Sequence, residues 1–286
     1  MQACILMSSI KKYNMCAHVY IMHSQLTESE KQSLLLISSV SFSVILISVN
    51  NEELAQYKVS EKWPAEIYFR LLCPKYLPET LNRVLYLDCD ILVRSSLEEL
   101  YSTQLDGKPL AAVEDVLSPN IGMLENLGMT GTSKYFNSGV LLIDLAAWRK
   151  SELSSSVFCL LDKYSSRFIH PDQDALNIVF ENNWHELHYR WNYLRGYQNT
   201  YLNKETLYSD YEKKTIKYPA IIHFSGPKPW KSKNRSLFKY EYHQQMIESG
   251  YRNYVPRLTL YDWCEKVGFY ILDKLNIKSP RPNNFY

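Results

Sequence analysis

Residues 83–93 read Arg-Val-Leu-Tyr-Leu-Asp-Cys-Asp-Ile-Leu-Val, so an apolar run ends in two carboxylates, Asp88 and Asp90, one residue apart. Four apolar residues without polar alternation predict a strand buried on both faces, the habit of parallel sheets flanked by helices. In such sheets ligands bind beyond the carboxyl ends of the strands, which puts the acidic pair where chemistry is expected. Two carboxylates about 4 Å apart repel by roughly 4 kcal/mol at an effective dielectric near 20. A divalent cation is the natural remedy.

Other chemistry-bearing residues stand at predicted strand ends or helix starts. Arg70 shares a helix face with Ile67 and Leu71, so its guanidinium needs a carboxylate or phosphate partner. Helix spacing alone favours the alternative, a stem that snorkels to a surface pair. The run His170-Pro171-Asp172-Gln173-Asp174 opens a helix with acidic residues in its first turn, which the macrodipole would by itself explain. Taken singly, His223 reads as a core histidine, Asn137-Ser138-Gly139 as a turn and Lys228 as a solvated loop charge. The run His185-Glu186-Leu187-His188 lacks the spacing of the H-E-x-x-H zinc motif and reads as structural.

The elements that must position these residues alternate along the chain. A helix is predicted over residues 3–10, a strand over 17–22, and a helix opened by the capping box of Thr27 and Glu30. Further strands fit 44–47, 84–87, 110–113, 140–144 and 220–224. Pro64 suits the start of a helix that Pro74 and Pro78 should end, and Asp144 should cap a helix around Trp148. Residues 116–136 have the composition of a long binding loop. Strands alternating with helices predict an α/β domain with a mainly parallel sheet.

Composition limits the partners. The 286 residues carry 32 basic and 30 acidic side chains, a net charge of +2, so nothing attracts nucleic acid globally. Six scattered cysteines without a C-x-x-C pair suit reduced thiols in a cytosol. No signal peptide is expected at the N-terminus, because its lysines follow the short apolar stretch. Residues 33–49 are too short and too rich in serine for a membrane span.

Four runs in order, L-Y-L-D-C-D-I-L-V, Y-F-N-S-G-V-L-L-I-D, D-Q-D-A-L-N and H-F-S-G-P-K-P-W, resemble the motifs of glycosyltransferase family 8. This family includes bacterial lipopolysaccharide galactosyl- and glucosyltransferases and the glycogenins. The resemblance covers residues 3–230 and implies a GT-A fold and retaining transfer of a hexose from a UDP-sugar. The acceptor would be a glycan, glycolipid or glycoprotein. It implies Mn2+, with Mg2+ as the alternative, held by Asp88, Asp90 and His223; two carboxylates and an imidazole suit manganese better than calcium. Lys228 and the Gly226 backbone match the loop that closes on the diphosphate. Asp115, Asn137, Asp172 and Gln173 match positions that contact donor hydroxyls or lie near the anomeric carbon, with Asp172 and Gln173 as the catalytic pair that would stabilise the developing oxocarbenium ion, and Arg70 matches a helix position beside the donor. The resemblance does not choose between galactose and glucose.

Two other functions compete. A haloacid dehalogenase-type phosphohydrolase also places D-x-D at a strand end, but normally wants Thr or Val where Leu92 stands. A non-catalytic UDP-sugar-binding protein would keep the same loops. The expected organisation is a catalytic domain over 1–232 and a helical extension over 233–286. Basic and aromatic residues in 251–286 suit peripheral contact with an anionic membrane on its cytoplasmic face. Family members usually begin with a strand before the helix predicted at 3–10, so the first strand of the family pattern is expected to be missing.

Overall fold

The computed structural model describes residues 1–55, 57, 63–116, 121–194, 218–231, 238–257 and 263. In chain order its helices are α1 (Gln2–Tyr13), α2 (Glu28–Leu35), α3 (Phe69–Tyr76), α4 (Glu98–Tyr101), α5 (Ile121–Leu127), α6 (Leu145–Lys150), α7 (Leu153–Tyr164), α8 (Pro171–Val179) and α9 (Lys239–Glu248). The strands are β1 (Ala17–His23), β2 (Phe42–Ser48), β3 (Arg83–Leu87), β4 (Ile91–Val93), β5 (Leu110–Glu114), β6 (Phe136–Asp144), β7 (His185–Glu186) and β8 (Ile221–His223). They divide into two compact units. The first comprises Met1–Tyr13, Cys89–Ser96 and the described part of Tyr189–Tyr286; the second comprises the described residues of Asn14–Asp88 and Leu97–His188.

In the second unit, β6 is the organising strand. It pairs with β3 on one side and β5 on the other, both antiparallel, and all its residues but Asp144 are buried. Both its faces are covered, which is why the run over 140–143 lacks polar alternation. Asp144 then accepts the Ala147 N–H at 2.8 Å and caps α6, as its sequence predicts. Trp148 and Phe180 stack with ring centroids 5.3 Å apart in the core beneath β6. Burial of each such side chain contributes about 1.5–3 kcal/mol.

Thr27 and Glu30 form the expected capping box, and α2 returns the chain so that β1 and β2 run parallel. Among the other described pairings β5 with β7 and the bridge from Tyr193 to Ile222 are parallel and three are antiparallel, so the described sheets mix the two directions. The buried apolar runs reflect layers packed on the faces, which protect antiparallel strands equally well. β3, predicted to be buried on both faces, has all five residues half-buried because it forms an edge of its sheet. β1 is likewise an edge, and no described strand pairs with both.

Three local expectations are corrected. Phe136-Asn137-Ser138-Gly139 opens β6 rather than forming a turn. Side chains supply the reason: Asn177 Oδ1 accepts the Phe136 N–H at 2.7 Å, and Gln173 Oε1 accepts that of Ser138 at 3.0 Å. Pro74 lies inside α3, which continues to Tyr76. The stretch read as one loop contains α5, while residues 117–120 fall outside the described part.

In the first unit, β4 pairs antiparallel with β8, and Tyr193 bridges Ile222 from the other side. Ser9 of α1 accepts the Val93 N–H at 3.1 Å, tying that helix to β4. Phe238, Tyr242 and Met246, at or beside α9, pack with Ile5, Leu92 and Ile222 into one core. α9 therefore contributes to that core, while most of the expected extension and most of its basic aromatic part lie outside the described residues. No helix among the described residues is long and apolar enough to cross a membrane.

Candidate active site

In the second unit, the carboxyl end of β3, the start of β6 and the first turn of α8 converge through side chains. Arg70, on α3, is 4% exposed and donates from Nη2 to Asp88 Oδ1 at 2.9 Å. Its Nε lies 3.2 Å from Asp172 Oδ2 and donates to Ile67 O at 3.0 Å, while Nη1 donates to Ser138 O. The guanidinium sits 4.7 Å from the Tyr86 ring centroid, and the Tyr86 hydroxyl donates to Asp88 Oδ1 at 2.7 Å. Arg70 is therefore a buried fork between two carboxylates, not a stem that snorkels to the surface.

Asp172 also accepts from Ser138 Oγ at 3.0 Å. Burial raises its carboxyl pKa; Arg70 and Ser138 oppose that rise, and the Asp88 charge adds to it. Beside it, Gln173 Oε1 accepts from Asn137 Nδ2 at 3.1 Å and from Ser138 N at 3.0 Å. Gln173 Nε2 and Asn137 Nδ2 each donate to Asp115 Oδ2 at 3.3 Å. Asp115, Asn137, Ser138, Asp172 and Gln173 are all buried. The register shift in β5 between Ala112 and Val113 sets Val113 opposite Asn137, and Asp115 follows directly after this strand.

In the first unit, β4 and β8 bring Asp90 and His223 together, with Nε2 of the imidazole 3.3 Å from Asp90 Oδ1. Lys228 Nζ pairs with Asp90 Oδ2 and donates to Phe224 O at 2.9 Å. Burial alone would raise the Asp90 pKa, but His223 and Lys228 together pull it well below the usual carboxylate range. The loop carrying Lys228 is anchored by His243 Nε2, which donates to Pro229 O at 2.7 Å, and by Trp230 against Tyr242. Gly226 is exposed, and a Cβ there would meet nothing within 4 Å, so no contact inside the protein requires glycine.

Of the three residues expected to hold a metal ion, Asp90 and His223 come together in the first unit, and Asp88 closes a segment of the second. The chain links the two carboxylates through Cys89 alone. An ionised carboxylate with an imidazole 3.3 Å from it is a donor pair that fits a divalent cation. Of the site residues expected from the sequence, Arg70, Asp88, Asp115, Asn137, Asp172 and Gln173 are linked in the second unit, Asp90, His223 and Lys228 are linked in the first, and Gly226 lies exposed in the loop before Lys228.

Sequence reasoning missed Ser138, Tyr86, Asn177 and Asn192. Ser138 and Asn177 were hidden behind a turn reading and a helical face. Nothing near Tyr86 or Asn192 in the chain signals a partner. His185 and Glu186 pair with β5, and Leu187 N donates to Ala112 O at 2.7 Å, in line with the structural reading of that run.

Residues 1–234 match the family model described as Glycosyl transferase family 8. The chain is similar to general stress protein A of Bacillus subtilis, 33% identical over 184 residues, covering 63% of this chain and 64% of that one. An Escherichia coli lipopolysaccharide 1,2-glucosyltransferase is 35% identical over 199 residues, 65% of this chain and 55% of its own length. The glycosyltransferase GlyA of Streptococcus pneumoniae is 30% identical over 226 residues, 78% of this chain but 30% of its own. The chain thus spans less than two thirds of each of these relatives. Among solved structures, the galactosyltransferase LgtC in complex with donor and acceptor sugar analogues covers 87% of this chain and 91% of its own, with a TM-score of 0.74 and 24% identity. The shared architecture is the GT-A fold.

Proposed function

Since the chain belongs to glycosyltransferase family 8, we propose that it moves galactose or glucose from a UDP-sugar to a hydroxyl of a glycan, glycolipid or glycoprotein, with retention. The observation that carries this reading is the buried network running from Asp88 through Arg70 to Asp172 and from Ser138 through Gln173 to Asp115 and Asn137. A convergent set of charged and amide groups withdrawn from water suits a ligand made of hydroxyls.

In this reading Asp88, Asp90 and His223 hold Mn2+, with Mg2+ as the alternative. Bound there, the cation would neutralise the diphosphate charge that grows as the glycosyl bond breaks. Lys228 supplies a point charge to the same diphosphate, and the Gly226 backbone approaches it closely. Arg70, Asp115 and Asn137 orient the donor sugar. Gln173 Oε1 already accepts two N–H groups and an amide oxygen is weakly basic, so Gln173 is not the nucleophile. The acceptor oxygen instead attacks C1 on the face the diphosphate leaves, and the departing phosphate oxygen takes the acceptor proton. Asp172 stabilises the oxocarbenium charge: a carboxylate that burial makes costly to ionise gains most from a positive neighbour.

The test is a panel of UDP-sugars scored for hydrolysis without acceptor, with Mn2+ and with chelator. Chelator-sensitive hydrolysis of UDP-galactose or UDP-glucose supports the reading. Binding of both sugars without turnover, even with acceptor saccharides added, would favour the non-catalytic UDP-sugar-binding function. We further propose that 233–286 is an extension of a catalytic domain over 1–232, with 251–286 touching an anionic cytoplasmic membrane face. Liposome flotation unchanged after deletion of 251–286 would remove the membrane contact.

A further inference from the structure

One ring nitrogen of His223, Nε2, lies 3.3 Å from Asp90 Oδ1. Its other ring nitrogen, Nδ1, lies 2.9 Å from Asn192 Oδ1, in a pair withdrawn from solvent, His223 at 6% and Asn192 at 0% exposure. The segment holding Asn192 is fixed beside β8. Tyr193 N donates to Ile221 O at 2.9 Å, His223 N donates to Tyr193 O at 3.1 Å, and Asn192 N donates to Tyr189 O at 3.2 Å. Position 192 therefore cannot move without disturbing the strand that carries the imidazole.

A carboxamide oxygen only accepts hydrogen bonds. The contact is satisfied when Nδ1 carries the proton, and in the neutral ring that leaves the lone pair on Nε2, the nitrogen 3.3 Å from Asp90 Oδ1. The hydrogen bond made by one ring nitrogen decides which nitrogen remains available to a metal. We propose that Asn192 is a positioning residue that fixes His223 as the Nδ1–H tautomer and thereby directs the Nε2 lone pair at a divalent cation shared with Asp90. This rests on the metal assignment made above, which it deepens.

The experiment uses the full chain and two readouts. Nitrogen-edited NMR of the metal-free protein reads the His223 tautomer directly. Titration with Mn2+ alone, followed by electron paramagnetic resonance, reads affinity. The wild-type ring is expected as Nδ1–H. Asn192→Ala should move the ring toward Nε2–H and weaken Mn2+ by about 10–100-fold, the usual effect of losing such an outer partner. Asn192→Asp, which keeps an acceptor in place, should hold the Nδ1–H tautomer and recover most of the affinity. An Nε2–H ring in the wild type overturns the proposal, and that measurement needs no variant to fold. Equal Mn2+ affinity in wild type and Asn192→Ala overturns it while leaving the metal assignment standing. Failure of the wild type to bind Mn2+ at all, with Nδ1–H observed, overturns the metal assignment and with it the purpose proposed for the tautomer.

Discussion

Arg70 Nη2 meets Asp88 Oδ1 at 2.9 Å from a guanidinium that is almost wholly withdrawn from solvent. Asp172, on the far side of the fork, is equally withdrawn. Removing one member of such a group leaves an uncompensated buried charge, which costs about 3–5 kcal/mol. Arg70→Ala should therefore lower unfolding stability by that amount and abolish transfer. Arg70→Lys should retain part of the stability but not the activity, because a point charge cannot reach Asp88, Asp172 and Ser138 O together. Urea denaturation checks both, and a loss below about 1 kcal/mol in Arg70→Ala would contradict the buried-fork reading.

The acidic pair was legible because an apolar run ending in two carboxylates is a local pattern. Thr27 and Asp144 were legible as caps for the same reason. The partner of Arg70 was not, since spacing on one helix says nothing about residues 68 positions away such as Ser138. Asn137-Ser138-Gly139 misled because turn-forming residues usually satisfy their own backbone. Here Asn177 and Gln173, on a helix far along the chain, satisfy it instead. The mixture of parallel and antiparallel pairing was equally hidden, because a strand covered on both faces has the same apolar composition in either direction.

Asp172 gives a signed pH dependence. Its folded pKa is raised above the unfolded value of about 3.9, chiefly by burial. Its contribution to stability is therefore fully present below the unfolded pKa and is lost as pH rises through the folded pKa. Asp172→Asn removes that loss, so its melting temperature relative to wild type should climb between acid and neutral pH. The same variant should keep most UDP affinity while losing transfer. A melting difference that is flat in pH would show that burial does not dominate at this carboxyl.

Lys228 pairs with Asp90 and so stands as an internal cation on a carboxylate proposed as a metal ligand. Lys228→Met should strengthen Mn2+ binding several-fold, because the incoming ion no longer displaces an ammonium, yet weaken UDP binding. Asp88→Asn and Asp90→Asn should each abolish Mn2+-dependent turnover while leaving the melting transition cooperative. Calorimetric titration with Mn2+, then with UDP, separates these effects. Weaker Mn2+ binding in Lys228→Met would mean that the lysine organises Asp90 for the ion instead of competing with it.

Asn177 is the residue on which the geometry of the second unit's cluster turns. Its Oδ1 accepts the Phe136 N–H at 2.7 Å, and its Nδ2 donates to Phe136 O and Gln173 O, each at 2.9 Å. One buried carboxamide thus joins the first residue of β6 to the turn of α8 that carries Gln173. Without it, a buried N–H and two carbonyls lose a partner, at about 1–3 kcal/mol for each group left unsatisfied. Asn177→Ala should destabilise the fold by about 3 kcal/mol or more on that basis. It should also let Asn137 and Ser138 drift from Gln173. Amide hydrogen exchange at Phe136 and Ser138 should then accelerate more than exchange at Leu141 and Leu142, which the flanking strands still hold. Uniform acceleration along β6 would mean that Asn177 supports the strand as a whole and not the end that carries the site.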